Sequence, residues 1–278
     1  VVGHATDACF PHAQPGFMPS INLEGGSGAK FDGSLDGLDE SYGAGAIIEQ
    51  EIGWPIGPKK ASTIAAANAQ LDHLARVLAE RGVEVSRPDT IDWKRPIRTP
   101  HFESPTQYCA TCPRDVLATV GNIVVEASMS RRDRYFEVHS VRSIVRKLWR
   151  DDPNMLWKAA PKPSMEDDMY KPTWWDYTLE ERYARMHMYD FAITNEEPIF
   201  DAADIMRCGR DLFVQLSATC NNAGIDWLRR ELRPHGMRVH RVRFPYDLAP
   251  SHLDCTFVPL KPGLVLTNPE RPILEEDA

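Results

Sequence analysis

Three stretches of the chain repeat one pattern of polar and apolar positions. Arg114-Asp115 precedes the apolar run Val116 to Val120, a Gly121-Asn122 turn and a second run, Ile123 to Ala127. Ala203-Asp204 precedes Ile205 to Cys208, the turn Gly209-Arg210-Asp211, and Leu212 to Leu216. His252-Leu253-Asp254 precedes an apolar run ending at Val258-Pro259, the turn Lys261-Pro262-Gly263, and Leu264 to Thr267. Two apolar runs joined by a glycine turn predict a β-hairpin. Each hairpin is headed by a carboxylate. Helical spacing follows the first two: Val141, Ile144, Val145 and Leu148 after one, Ile225, Leu228 and Leu232 after the other. Gly236 ends the second helix and Val239, Val242 and Phe244 read as a returning strand. The repeated order strand, strand, helix, strand predicts an α/β protein built of similar units. If the hairpins share an axis, their leading carboxylates share a centre.

Outside the repeats, Lys60 to Arg81 predicts a helix with Ile64, Ala67, Leu71, Leu74 and Leu78 on one face and Gly82 as its C-terminal cap. A short strand is expected at Val83-Glu84-Val85, followed by an irregular connection bracketed by Pro88 and Pro96. The segment from Ala159 to Trp175 is poorly periodic, and Trp174-Trp175 is expected to serve packing. Glu24 to Gly45 holds seven of the seventeen glycines and predicts a loop or lid. Its Gly25-Gly26-Ser27-Gly28 lacks the Gly-Lys-Ser/Thr of a phosphate cradle.

With 42% hydrophobic and 26% charged residues, the chain has the balance of a soluble globular protein. The net charge of -8 argues against a nucleic-acid partner, whose backbone is held by clustered Lys and Arg. The basic stretch Arg131 to Arg150 is expected to be an amphipathic helix with a solvated cationic face. No apolar run is long enough for a membrane span. Six dispersed cysteines predict free thiols in a reducing, cytoplasmic setting. Cys109-Ala110-Thr111-Cys112 has metal or redox spacing without a second ligand pair.

The densest candidate chemistry is His252 and Asp254, which on a strand would project to one face. Asp115 and Asp204 head the other hairpins, and Asp201 lies on the approach to the second. Phe102-Glu103-Ser104, Cys112-Pro113-Arg114-Asp115, Ala159-Ala160-Pro161-Lys162-Pro163, Phe200-Asp201-Ala202-Ala203-Asp204, His252-Leu253-Asp254-Cys255-Thr256-Phe257 and Asn268-Pro269-Glu270-Arg271-Pro272 together resemble the L-arginine amidinotransferase family, in order along the whole chain.

The resemblance implies a pentein fold, a five-bladed α/β propeller of ββαβ modules, incomplete in this chain. Residues 1–278 would form a single domain. It implies transfer of the amidino group of L-arginine to an acceptor amine through a covalent amidino-cysteine, with release of ornithine and no cofactor or metal. His252 would be the general acid and base, Asp201 would hold its imidazole, Asp115 and Asp254 would grip the guanidinium, and Arg271 would take the substrate α-carboxylate. A homodimer is among the assemblies it allows. Ala249 and Ser251 stand where glycine-using members carry larger residues, so the acceptor is expected to be bulkier than glycine, an amine of specialised metabolism. Tyr108 departs by one position from the family spacing and takes no role. None of the six cysteines has the glycine-rich context of the family nucleophile, which is therefore expected beyond Ala278, and residues 1–278 alone are expected to be inactive. Cys255 is expected to point away from Asp254. Three other readings stand beside this one: an arginine:glycine amidinotransferase, a metal-dependent hydrolase using Asp201, His252 and Asp254, and a catalytically silent pentein that binds ligand.

Overall fold

The computed structural model describes residues 1–10, 57–244 and 252–269. The Glu24 to Gly45 segment, Ala249, Ser251 and Arg271 lie outside the described residues.

Helix α1, Ala61–Ala79, ends as its sequence dictates. Gly82 takes a left-handed φ of +78°, and the Val83 N–H turns back to the Leu78 carbonyl at 3.1 Å. Its covered face runs through Ile64, Ala67, Leu71, Ala75 and Leu78, while Leu74 is exposed. The expected strand at Val83 to Val85 does not form. Among the described residues no strand pairs with it, and the chain is tied instead by the Val2 N–H to the Ser86 carbonyl at 3.1 Å.

Two ββαβ modules carry the architecture. In the first, β1 (Leu117–Val120) and β2 (Ile123–Glu126) pair antiparallel across Gly121, whose φ of +64° suits a tight hairpin turn. A 3-10 turn at Glu137–Val141 and α2 (Arg142–Asp151) then return the chain to β3 (Leu156–Ala159), parallel to β2. In the second, β4 (Ile205–Cys208) pairs antiparallel with β5 (Asp211–Gln215), and α4 (Asn222–Leu232) crosses to β6 (Arg238–Val242), parallel to β5. Between the modules lies α3 (Leu179–His187), begun by a capping box of Thr178 and Glu181. The third hairpin, β7 (Phe257–Lys261) and β8 (Leu264–Thr267), has a register shift between Pro259 and Lys261.

All of β2 is buried, and Ile123 and Val125 share one apolar cluster with Phe200, Leu212, Val214, Ile225 and Leu228 of the second module. Trp174 lies in that cluster at 1% exposure, as packing. Lys158 of β3 meets Glu231 of α4 at 2.8 Å, a second tie between modules. The α/β architecture of ββαβ modules expected from the resemblance is the one observed. Among the described residues it amounts to two complete modules and the third hairpin.

The basic stretch departs from expectation. Only Arg142–Asp151 is α-helical, and Arg131 and Arg134, expected on a solvated face, have side chains 13% and 4% exposed. Each is neutralised by a carboxylate close in sequence: Asp133 for Arg131, and Glu137 for Arg134. A buried guanidinium is tolerable only when so paired.

Candidate active site

Each hairpin is entered through a short helical turn: Pro113–Val116, Ala202–Asp204 and Leu253–Cys255. The middle turn packs against both of the others, which brings the heads of the three hairpins to one place. The residue before each turn is Cys112, Asp201 or His252, and the turns themselves carry Asp115, Asp204 and Asp254. Strand alternation therefore does not bring His252 and Asp254 together as the sequence predicts. His252 sits at φ +56°, a strained value for a residue with a side chain, and Asp254 follows within the turn. The same turn corrects the expectation for Cys255, whose Sγ donates to Asp254 Oδ1 at 3.7 Å.

Asp115, Asp201 and His252 converge, each with one polar atom within 4.8 Å of the others. His252 Nε2 lies 3.2 Å from Asp201 Oδ2, and His252 Nδ1 lies 4.0 Å from Asp115 Oδ1. Burial on its own pushes the imidazole pKa down. The hydrogen bond to Asp201 and the charges of Asp115 and Asp204 outweigh it and raise His252 to about 9. His252 is thus an imidazolium at neutral pH. Burial also pushes the Asp201 carboxyl up, but His252 and Arg134 hold it below the ordinary carboxylate range.

Sequence reasoning missed the framework behind these groups. Arg134 donates from Nη1 to Asp201 Oδ2 at 3.1 Å and from Nη2 to Asp115 Oδ2 at 2.9 Å. Its Nε and Nη2 also grip Glu137 at 2.6 and 2.8 Å. One guanidinium therefore fixes the spacing of both carboxylates that face His252, as its planar fork allows. The Ser130 N–H completes Asp201 at 3.1 Å. The sequence signal available was the Arg134 and Glu137 pair at i and i+3.

Asp204 does not enter the mouth of the site. It is fully buried and accepts from Ser217 Oγ at 2.9 Å, Thr219 Oγ1 at 2.8 Å and the His252 N–H at 3.1 Å. It anchors the backbone from which the imidazole projects. Burial pushes its carboxyl up, to about 7. Asp254 lies at the edge, its side chain 25% exposed and 3.7 Å from Arg114 Nε. Burial raises its pKa, and the charges of His252, Arg114 and Asp115 all act on it. Arg114 also donates to the Ala202 carbonyl at 2.8 Å, clamping the first turn to the second.

The cluster presents carboxylates to an incoming cation beside a protonated base. Such a site suits a planar guanidinium whose leaving nitrogen needs a proton. For a divalent metal the donor set is limited, because Arg134 takes one oxygen of each carboxylate and the Ser130 N–H takes the other oxygen of Asp201. Of the nearby thiols, Cys112 has an exposed surface, yet the packing around its sulfur and the charge of Asp115 push it up to about 11. Burial pushes Cys109 up as well. Neither is a thiolate at neutral pH.

No protein-family model matches the chain. Individual proteins do. Glycine amidinotransferase, mitochondrial, of Gallus gallus is 38% identical over 98% of this chain and 58% of its own. The L-arginine:L-lysine amidinotransferase of Pseudomonas savastanoi pv. phaseolicola is 37% identical over 74% of this chain and 54% of its own. The solved inosamine-phosphate amidinotransferase of Streptomyces griseus superposes with a TM-score of 0.75 at 30% identity, covering all of this chain and 68% of that one. The chain belongs to the amidinotransferase family. It spans a little over half the length of these two curated relatives. The match extends over the whole of this chain, so the three turns and their carboxylates lie within the matched region. No helix among the described residues is long and apolar enough to cross a membrane.

Proposed function

We propose that the protein transfers the amidino group of L-arginine to an acceptor amine. The observation that supports this reading is the convergence of Asp115, Asp201 and His252 within 4.8 Å, beside Asp254, in a chain of this family. Asp115 and Asp254 receive the arginine guanidinium. A cysteine thiolate adds to the guanidinium carbon, the bond from that carbon to the side-chain nitrogen breaks, and His252 gives that nitrogen its proton as ornithine leaves. The acceptor amine then attacks the same carbon, expels the thiolate and returns a proton to His252. A base raised to about 9 by Asp201 is charged at rest, the state the first step requires. Arg134 fixes Asp115 and Asp201 relative to each other, as pre-organisation demands. Arg271 is proposed to take the substrate α-carboxylate.

Glycine, lysine and inosamine phosphate appear in the names of the three relatives, so acceptors differ within the family. We assign this protein an acceptor bulkier than glycine, in specialised metabolism, on the small residues Ala249 and Ser251. The test is competition between glycine, lysine and an aminocyclitol for the amidino group of arginine labelled at the guanidino carbon, using the gene product expressed in full. The larger amines should be labelled preferentially. Preference for glycine, as the name of the Gallus gallus relative favours, would reverse the acceptor assignment. Citrulline as the product, with no labelled guanidino compound formed from any of these amines, would reject the transferase reading.

A further inference from the structure

A second cluster, sharing no residue with the catalytic group, surrounds a cavity of about 320 Å³. Its walls include the rings of Phe136 and Trp157, and its polar groups are Glu126, His139, Arg142 and Lys162. That volume is at the lower end of small-molecule pockets, enough for a ligand of about a dozen heavy atoms.

The hydrogen-bond inventory of the cavity is lopsided. Among the described residues Glu126 is its only carboxylate, and both oxygens are taken, one by Arg142 Nη2 at 3.0 Å and the other by Trp157 Nε1 at 2.7 Å. Arg142 Nε is buried and has no partner. Lys162 Nζ reaches the carbonyls of Ala127 at 3.4 Å and Ser128 at 3.1 Å, which engages two of its three donors without a direct ion pair among the described residues. Burial lowers the Lys162 pKa to about 8, and burial with the charges of Arg142 and Lys162 lowers that of His139, which is neutral at pH 7. Within the cavity wall two cations face one carboxylate, with the charges of Asp201 and Glu137 reaching Lys162 from outside it; the unspent donors of Arg142 and Lys162 are met by no acceptor but the neutral His139 ring, and the rings of Phe136 and Trp157 line the same space. Lys162 belongs to the Ala159-Ala160-Pro161-Lys162-Pro163 motif, which the proposed reaction does not use.

We propose that this cavity is a binding site for a small organic monocarboxylate with a flat, apolar body. Its carboxylate accepts from Lys162 Nζ and Arg142 Nε, and its body lies between Trp157 and Phe136. A dianion would exceed the free charge. An α-amino acid would bring its ammonium beside Lys162 and Arg142, so ligands lacking that group are favoured.

Calorimetric titration of the 278-residue chain at pH 7 with benzoate, benzamide and benzylamine tests this. Benzoate should saturate with a Kd on the order of 1 mM or tighter, and the neutral and cationic probes should bind at least about tenfold more weakly. Lys162→Met and Arg142→Gln, each checked for native circular dichroism, should each weaken benzoate binding by about tenfold or more. The selectivity among probes on the unsubstituted chain decides the matter even if a variant fails to fold. Benzamide binding as tightly as benzoate, absence of saturation by benzoate, or unchanged binding in both folded variants would overturn the assignment.

Discussion

Replacing Asp201 by Asn removes one negative charge from a group buried to 1% exposure while keeping an oxygen able to accept from the Ser130 N–H. His252 loses its hydrogen bond at 3.2 Å to a charged acceptor and keeps Asp115 at 4.0 Å and the Asp204 contact to its backbone. In the unsubstituted chain the imidazole stands at about 9, about 2.5 units above its ordinary value, or about 3 kcal/mol in favour of the charged form. A hydrogen bond to a charged group contributes about 1.5–3 kcal/mol, which is about 1–2 units. Asp201→Asn should therefore bring His252 down to about 7–8 and make it largely neutral by pH 8.5. Two-bond proton–nitrogen correlation spectra of the imidazole, followed from acid to alkaline pH and assigned with His252→Gln, measure this directly. A shift smaller than about half a unit would refute the claim that Asp201 holds the imidazolium.

Stability should follow pH in a defined direction. His252 and Asp204 both have folded pKa values raised above their unfolded ones, so the stabilisation linked to them is present below the unfolded values. It is lost as pH rises, through about 7 for Asp204 and about 9 for His252, and the urea midpoint should fall across that range. A midpoint that rises instead would contradict these shifts. Arg134→Met leaves Asp115, Asp201 and Glu137 without their shared cation and should cost about 3–5 kcal/mol in urea unfolding at pH 7, less at pH 5. Equal losses at the two pH values would show that packing and not charge is at stake. Gly224→Ala places a Cβ 2.2 Å from the Ile199 carbonyl oxygen at the start of α4 and should cost about 1–3 kcal/mol, read from the thermal midpoint. An unchanged midpoint would mean that the backbone yields there.

What could be read from the sequence was local. Each hairpin declares itself through two apolar runs and a glycine, because pairing across a tight turn needs nothing from the rest of the chain. The strand β3 went unread, since Leu156 to Ala159 pairs parallel with β2 across an intervening helix and leaves no local trace. Val83 to Val85 reads as a strand on propensity alone, and among the described residues no strand pairs with it. That Asp115, Asp201 and His252 belong together is legible in the sequence, but the geometry of their convergence is not. A single helical turn at Leu253–Cys255 replaces the expected strand start, and a left-handed His252 is not visible in a run of letters. Arg134 was hidden by its company: within a basic run it resembles surface charge, and only the buried Glu137, Asp115 and Asp201 around it reveal its work.

The central claim is that this cluster receives the guanidinium of arginine and hands its amidino group to a thiol. The most direct measurement is acid-quenched mass spectrometry of the full gene product after mixing with arginine and no acceptor amine, with ornithine counted in the same quench. An amidino adduct on one cysteine, equal in amount to the ornithine released and lost in Asp115→Asn and His252→Ala, is the result expected. Ornithine without any adduct, or an adduct undiminished in both variants, would contradict the account.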